Sequence, residues 1–304
     1  MKKGIICVLV CMLMILSIIV PVSGTVLTEK TTHPLTKGNT LYVGGSGPNN
    51  YTKIQDAIND ATNGDTVFVY DDSSPYLENI IVNKSIQLIG ENKQTTVIDG
   101  EGKEDVVSVT ANGISISGFS ILGKKTLFPS QWYCGIQFWN VTQCTIRDNI
   151  VQNNLWIGIR SWKSSNCTVA DNIVIGNGYG ISIDKCSDYN VTGNLVKDNI
   201  FVGIFVAMDY NIIIQGNNLS SNNLGVHVVF SSDTQVLKNN FIANFIDATF
   251  GTSLTGESEH RTNWQGNYWD QRLGSVKLIV GRIVLVPWIN IDWHPAQEPY
   301  DIGV

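Results

Sequence analysis

The chain has 304 residues, of which 43% are hydrophobic and only 15% charged, and its formal net charge is −6. The acidic balance argues against nucleic acid as a partner, because phosphate binding requires basic patches. The low charge, together with many Gly, Asn, Ser and Thr residues, favours a β-rich fold with frequent tight turns.

The first predicted element is a secretory signal peptide over residues 1–24. Lys2 and Lys3 form a basic start, residues 5–20 are apolar apart from Ser17, and the small residues of Pro21–Gly24 follow. This pattern predicts export to the cell surface, the medium or a periplasm-like space. An uncleaved anchor is the alternative, and it is the one way in which we expect the chain to contact a membrane. Cleavage leaves 18 basic and 26 acidic residues.

Residues 25–40 are predicted to form a polar tether, and residues 41–110 the N-terminal cap with the first irregular coils. Within the cap, Tyr51–Ala61 carries apolar residues at helical spacing, so we expect an amphipathic helix that covers the open end of a stack of strands. Thr52 is its predicted N-cap and Asn63–Gly64 its end. Alternating or apolar runs predict short strands at Val67–Tyr70, Ile80–Val82, Ile86–Ile89, Val97–Ile98, Val106–Val109 and Ile114–Ile121.

Residues 111–250 are organised by a repeat. A glycine followed by an apolar residue recurs five times at spacings of 22 or 23 residues, at Gly135, Gly158, Gly180, Gly203 and Gly225. Two columns of asparagine keep the same spacing: Asn149, Asn172, Asn194, Asn217 and Asn239, and Asn154, Asn177, Asn199, Asn222 and Asn244. A unit of this length, with about three short strands, closes one coil of a right-handed parallel β-helix. Stacked asparagines of successive coils can then form hydrogen-bond ladders.

Residues 251–304 do not continue the repeat, because the regular spacing stops after Phe250. We expect a last irregular coil, with residues 276–286 nearly all apolar, and an aromatic plug that closes the second end. The aromatic residues of this C-terminal cap are Trp264, Tyr268, Trp269, Trp288 and Trp293.

Several of these segments resemble one protein family. Tyr51–Ala61, Gly64–Val69 and Val97–Gly100 are similar to the N-terminal cap of NosD-like proteins and their pectin-lyase-like relatives, and Trp264–Asp270 is similar to the tails of secreted archaeal members. The resemblance implies a β-helix from about Leu41 onwards. It also implies two kinds of activity: accessory roles in copper-enzyme maturation for NosD proteins, and polysaccharide lyase, hydrolase, esterase or epimerase activity for the pectin-lyase-like relatives.

The repeat register predicts a ligand-binding wall. The apolar residue after each glycine points inward. Because side chains alternate along a strand, the residues two and four positions after each glycine point outward. The predicted ligand-binding residues are Tyr133, Gln137, Trp139, Trp156, Arg160, Trp162 and Asp184. Exposed rings stack on the apolar faces of pyranoses and polar groups bind hydroxyls, so a polysaccharide or envelope glycan is the expected partner. The alternative is that these rings pack under Lys124–Trp132, which contains Phe128 and Trp132.

The sequence does not predict an enzyme. Asp184, as an acid or base, and Arg160, as a partner for a uronate carboxylate, are the only catalytic candidates on this wall beside the more distant His227. We therefore expect a surface binding or structural module for glycans or envelope components. The alternatives are a polysaccharide-active lyase, hydrolase or epimerase, and a NosD-type accessory protein in metal-enzyme maturation. No cofactor and no metal site are predicted, since His and Met residues are few and scattered.

Two further features leave alternatives open. Cys144 and Cys167 share a column, so stacked buried thiols are expected, with a disulfide as the alternative. Six N-x-S/T sequons occur, and an Asn/Thr-rich turn repeat can generate such sequons by accident: Asn50, Asn83, Asn140, Asn166, Asn190 and Asn218.

Overall fold

The computed structural model describes residues 38–123, 133–252, 262–272, 274–283 and 286–303. The predicted signal peptide, nearly all of the tether, and the segment Lys124–Trp132 lie outside these ranges. Among the described residues, no helix is both long and apolar enough to cross a membrane.

The described chain consists of short strands and one helix, α1, at Ile54–Asp60. The first strands are β1 Thr40–Val43, β2 Thr66–Val69, β3 Ile80–Val82, β4 Gln87–Gly90, β5 Val97–Asp99, β6 Val107–Val109, β7 Ser115–Ser117, β8 Ser120–Leu122, β9 Cys134–Trp139, β10 Thr145–Arg147, β11 Ile150–Gln152, β12 Ile157–Trp162, β13 Thr168–Ala170 and β14 Ile173–Ile175. The later strands are β15 Tyr179–Asp184, β16 Ser187–Thr192, β17 Leu195–Lys197, β18 Val202–Ala207, β19 Tyr210–Gln215, β20 Asn218–Ser220, β21 Leu224–Val229, β22 Gln235–Leu237, β23 Asn240–Ile242, β24 Ile246–Thr252, β25 Asn263–Gln265, β26 Tyr268–Trp269, β27 Lys277–Ile283 and β28 Val286–Asp292.

The strands stack into three sheets that run along the coil axis. Sheet A has the order β1-β2-β4-β7-β10-β13-β16-β19-β22-β25, sheet B β26-β23-β20-β17-β14-β11-β8-β5, and sheet C β28-β27-β24-β21-β18-β15-β12-β9-β6-β3. Neighbouring strands pair in parallel, and β27 with β28 is the antiparallel exception among the named pairs. The predicted parallel β-helix is therefore confirmed, and so are the strands that the sequence placed before residue 122.

The glycine column is explained by close contact between coils. A Cβ atom at Gly158 would lie 2.8 Å from the carbonyl oxygen of Gly180, and one at Gly180 would lie 2.5 Å from that of Gly203. The residue after each glycine is buried in the shared core, as predicted: Ile136, Ile159, Ile181, Ile204 and Val226. No single coil encloses a core of its own, so each coil depends on its neighbours for burial.

Two asparagine ladders run through the stack, as the sequence predicts. In the first, Asn194 donates its backbone N–H and its side-chain Nδ2 to Oδ1 of Asn217, both at 2.9 Å. The same pair of bonds joins successive members of the column, and the ladder extends one residue beyond the prediction, to Asn267. It ends on the fully buried carboxylate of Asp292, which accepts from the backbone N–H and Nδ2 of Asn267.

The N-terminal helix forms where the sequence predicts, but its cap differs. Lys53 occupies the N-cap position and makes no side-chain cap bond. The carboxylate of Glu78 accepts the N–H groups of Ile54 at 2.8 Å and Gln55 at 3.0 Å instead. The prediction that Thr52 caps the helix is therefore wrong, because the unpaired N–H groups of the first turn find an anion on the next coil.

The C-terminal cap is more regular than predicted. Residues that were expected to form an irregular coil lie in a β-hairpin of β27 and β28. Trp264 and Trp269 are buried, and Trp269 stacks on Phe241 with ring centroids 4.1 Å apart, so these two close the core as expected. Trp288 and Trp293 are 52% and 63% exposed, so their assignment to the plug is wrong.

Cys144 and Cys167 are buried free thiols, and the backbone N–H of Cys144 points at Sγ of Cys167 at 3.4 Å. This confirms the expected stacked, buried thiols rather than the alternative disulfide.

Candidate functional site

The outer face of sheet C brings the predicted side chains together. Gln137 pairs with Arg160 across neighbouring strands, and Trp139, Trp162 and Asp184 occupy one column of three successive coils. We call the surface formed by Gln137, Trp139, Arg160, Trp162, Asp184 and the adjacent Lys185 the aromatic wall. The register that sets it is fixed by the inward-pointing residues of the same strands, because a shift by one residue would expose the core.

Two tryptophans form the centre of the aromatic wall. The rings of Trp139 and Trp162 are stacked, with centroids 6.1 Å apart and an interplanar angle of 14°. Trp139 is 51% exposed. The guanidinium of Arg160 lies 5.1 Å and the ammonium of Lys185 4.7 Å from the Trp162 ring centroid, so cations flank the ring.

Two carboxyl groups, those of Asp184 and Asp105, lie close enough to Arg160 for its charge to lower their pKa values. Burial raises the pKa of Asp184, and the positive charges of Lys185 and Arg160 oppose this shift. Burial also raises the pKa of Asp105, against a bond from the backbone N–H of Cys134 and the charge of Arg160. The positive charge of Arg160 thus partly offsets the effect of burial on two carboxyl groups from different coils. The guanidinium of Arg160 is itself part of the aromatic wall.

Asp209 lies on the coil that follows Asp184, is 3% exposed, and accepts the backbone N–H of Cys186. Burial raises the pKa of Asp209 to about 8, with a smaller contribution from the charge of Asp184. Within the described part of the chain, neither Asp184 Oδ1 nor Asp209 Oδ2 has a hydrogen-bond partner. Two interacting carboxyl groups are therefore present where the sequence placed one.

A second aromatic row runs beside the wall. Trp156 contacts Tyr179 at 5.3 Å between ring centroids, Tyr179 contacts Phe205 at 5.8 Å, and Phe205 contacts His227 at 5.5 Å. Trp156 therefore joins this row rather than the Trp139–Trp162 pair. Burial lowers the pKa of His227 to about 4, so this imidazole is neutral at pH 7.

Of the seven predicted residues, the structure brings Gln137, Trp139, Arg160, Trp162 and Asp184 onto one surface. Tyr133 is half-buried at the start of β9. Sequence reasoning missed Lys185, Asp105 and Asp209. Lys185 could have been found, because it follows Asp184 directly at a corner of the coil. Asp105 and Asp209 gave no repeat signal.

Depressions of about 600 Å³ and 510 Å³ are present on the described part of the chain. The first is lined by Tyr42, Tyr70, Asp71, Asp72 and Glu91, and the second by residues that include Ile213 and Tyr300. Neither of these two depressions includes a residue of the aromatic wall.

The described ranges contain no group of three His, Cys, Asp or Glu side chains that converge in a way that could hold a metal ion. The four cysteines described, Cys134, Cys144, Cys167 and Cys186, are buried. Copper sites favour clustered sulfur and imidazole ligands. The described residues do not fit a copper centre.

The parallel coils, the Asn ladders and the capping helix define a β-helix protein of the repeat class. The family described as periplasmic copper-binding protein (NosD) matches residues 58–274. The chain belongs to this family, and it is a NosD-like right-handed parallel β-helix.

Other comparisons give more distant relatives. A cell surface glycoprotein of Methanothermus fervidus is 36% identical over 104 residues, which are 34% of this chain and 16% of that protein. The chain thus spans about a sixth of that relative's length.

Among solved structures, an alginate lyase of Paenibacillus sp. has 12% identity and a TM-score of 0.49, covering 77% of this chain and 88% of the lyase. A mannuronan C-5 epimerase A-module of Azotobacter vinelandii has 15% identity and a TM-score of 0.41, covering 71% of this chain and 82% of the module. Neither likeness bears on what this chain binds.

Proposed function

We propose that this chain is an exported cell-surface β-helix that binds glycans along the aromatic wall. The observation that carries the proposal is that exposed Trp139 stacks on half-buried Trp162, with Arg160 and Lys185 beside the pair. Indole faces cover the apolar faces of pyranose rings, while Arg and Lys donate hydrogen bonds to hydroxyl or carboxylate oxygens. The relative named as a cell surface glycoprotein and the periplasmic description of the family support the location.

The flanking charges indicate which glycans bind best. Arg160 and Lys185 present positive charge on a chain whose net charge is −6. A guanidinium binds a carboxylate through two parallel hydrogen bonds, so uronate-containing chains gain a contact that neutral glucans lack. We therefore propose an acidic polysaccharide as the preferred ligand, with stacking on the tryptophans common to both classes.

Calorimetric titration of the full chain with neutral gluco-oligosaccharides and with oligogalacturonates tests the proposal. Removal of one stacking ring by Trp139→Ala costs about 0.5–1.5 kcal/mol, which weakens binding by up to roughly tenfold for both ligand classes. Arg160→Gln weakens uronate binding alone. Trp293→Ala removes a tryptophan that is also highly exposed but lies outside the wall, and it is the matched control.

Unchanged affinity in both Trp139→Ala and Trp162→Ala contradicts the proposal. Equal losses in Trp293→Ala contradict it as well, because they place the binding surface elsewhere.

A second candidate function, a polysaccharide lyase, hydrolase or epimerase, is favoured by two interacting carboxyl groups with raised pKa values, Asp184 and the buried Asp209 of the next coil. Acid–base catalysis uses carboxyl groups with raised pKa values. In this case Asp184→Asn abolishes turnover of an acidic polysaccharide while binding persists. Absence of product formation by the wild-type chain on uronate polymers excludes this candidate.

Export is proposed on the pattern of residues 1–24. N-terminal sequencing of the chain recovered outside the cytoplasm tests it: a start near Thr25 is expected, and a start at Met1 indicates the anchored alternative.

A further inference from the structure

The structure separates the six sequons by exposure. Asn83, Asn140, Asn166 and Asn190 are exposed. Asn50 is half-buried and its side-chain Nδ2 donates to the carbonyl of Gly44. Asn218 is half-buried and its side-chain Oδ1 is inaccessible. The first four positions are therefore more accessible to an attached oligosaccharide than the last two.

The corner at Asn140 does not itself require asparagine. Asn140 has φ of 53°, and the residues at the same corner of the next coils have φ of 52° to 59°: Lys163, Lys185, Met208 and Phe230. Each donates its backbone N–H to the strand-end carbonyl of the following coil, as Asn140 does to Trp162. Since Lys, Met and Phe all fit this corner, the left-handed turn accepts asparagine there but does not select it.

Asn166 provides the contrast. Its corner is occupied in the other coils by Gln143, Asp188, Asn211 and Asp233, and all five residues have positive φ. Asn and Asp are the residue types that tolerate this backbone conformation most readily. A sequon at Asn166 is therefore a by-product of turn chemistry, whereas the sequon at Asn140 needs another explanation.

Asn140 also stands directly beside the aromatic wall. It follows Trp139 in the chain, so their Cα atoms are about 3.8 Å apart. Across the corner, its backbone N–H donates to the carbonyl of Trp162 at 2.9 Å. Asn140 is exposed, and its side chain makes no hydrogen bond among the described residues. An oligosaccharide attached at Asn140 therefore starts one residue from exposed Trp139, whose ring stacks on half-buried Trp162.

We propose that Asn140 is a site of N-linked glycosylation and that the attached oligosaccharide folds back onto Trp139 and Trp162. The inference rests on the proposed glycan affinity of the aromatic wall and names one glycan that it holds, the chain's own. Tethering makes this contact intramolecular, so weak stacking suffices to keep the wall covered.

The modification needs a glycosyl donor, which is a lipid-linked oligosaccharide phosphate of the exporting cell. The bond between the anomeric carbon and the phosphate oxygen breaks, and a bond between that carbon and Nδ2 of Asn140 forms. The amide nitrogen loses one proton, and the lipid phosphate leaves with the bonding electron pair. No oxidant or reductant is consumed.

Peptide mapping by mass spectrometry of the full chain, purified from its producing cells, tests the modification. The peptide that contains Asn140 is expected to carry the mass of an oligosaccharide, and those with Asn50 and Asn218 are expected to be unmodified. Thr142→Ala removes the sequon and leaves Asn140 in place, whereas Thr142→Ser retains the sequon and is the matched control. An unmodified Asn140 in the wild-type chain overturns the proposal.

A double-mutant cycle on the melting temperature tests the stacking. Thr142→Ala lowers Tm in the wild-type background, because a stacked glycan is lost together with the hydrogen bond that the Thr142 hydroxyl accepts from Ser165. The second contribution is the same in every background and cancels in the cycle. The loss shrinks in a Trp139→Ala background and persists in a Trp293→Ala background. A modified Asn140 whose removal lowers Tm equally in both backgrounds overturns the stacking.

Added oligosaccharides measured on the Thr142→Ala chain distinguish failure of this inference from failure of the proposed function. If they bind there while Asn140 is unmodified in the wild type, this inference fails and the proposed function stands. If the glycan at Asn140 is stacked but no added oligosaccharide binds, the tethered contact stands and the proposed function fails.

Discussion

Asp292 closes the first asparagine ladder, and replacing it should destabilise the C-terminal end of the helix. Its carboxylate accepts five hydrogen bonds, from the backbone N–H groups of Gly266, Asn267 and His294 and from the side chains of Asn267 and Trp269. Three of these donors belong to Asn267 and Trp269, which are 0% and 1% exposed. Asp292→Ala leaves the backbone N–H of Asn267 and the indole N–H of Trp269 without an acceptor, whereas Nδ2 of Asn267 keeps its bond to the carbonyl of Val236.

The expected cost follows from the two buried N–H groups that lose their acceptor. Each buried polar group without a partner costs about 1–3 kcal/mol, so the loss in unfolding free energy is at least about 2 kcal/mol. At roughly 2–4 °C per kcal/mol, Tm falls by at least about 4 °C. Asp292→Asn keeps one acceptor oxygen and should lose less.

Urea denaturation followed by tryptophan fluorescence measures this change, because Trp269 is both a hydrogen-bond donor to Asp292 and buried. Asp301→Ala, which removes an exposed carboxylate nearby in sequence, is the control and should leave the midpoint unchanged. An Asp292→Ala chain within about 1 kcal/mol of the wild type would refute the view that the ladder needs an anionic terminus.

Three further outcomes are expected. Asp209→Asn should raise Tm at pH 8 and have little effect at pH 4. The pKa of Asp209 is about 8 in the folded chain, so the carboxyl group lowers folding stability as pH rises from its unfolded pKa toward 8, and asparagine removes this loss. A difference in Tm that does not change with pH would contradict the assignment. Gly158→Ala should cost about 1–3 kcal/mol, since its Cβ would lie 2.8 Å from a backbone oxygen, whereas Gly251→Ala, with its nearest contact at 3.6 Å, should be neutral in the same chemical denaturation. Glu78→Ala should cost about 1 kcal/mol through loss of the helix cap and speed amide exchange at Ile54, and unchanged exchange would argue against that cap.

The repeating part of the chain could be predicted from sequence because each position recurs in several coils. The glycine, apolar and asparagine columns fix the strand register, and the register alone brings Trp139, Trp162 and Asp184 into one line. The same periodicity predicts the ladder contacts, such as those between Asn194 and Asn217.

Features that occur once were harder to predict. Glu78 caps α1 from 24 residues away, so no local motif announces it. The hairpin of β27 and β28 lacks a counterpart in the repeat, and its exposed Trp288 differs from buried Trp269 only in tertiary context. Asp105 and Asp209 reach the site through the spacing of coils rather than through a column of like residues.

Tryptophan footprinting shows directly whether glycans bind on the aromatic wall. Oxidation of the full chain carrying Thr142→Ala, with and without added oligogalacturonate, is followed by peptide mass spectrometry. We expect the ligand to slow oxidation of Trp139 and Trp162 and to leave that of Trp293, which is 63% exposed, unchanged. Equal oxidation of Trp139 with and without ligand, or protection confined to Trp288 and Trp293, would contradict it.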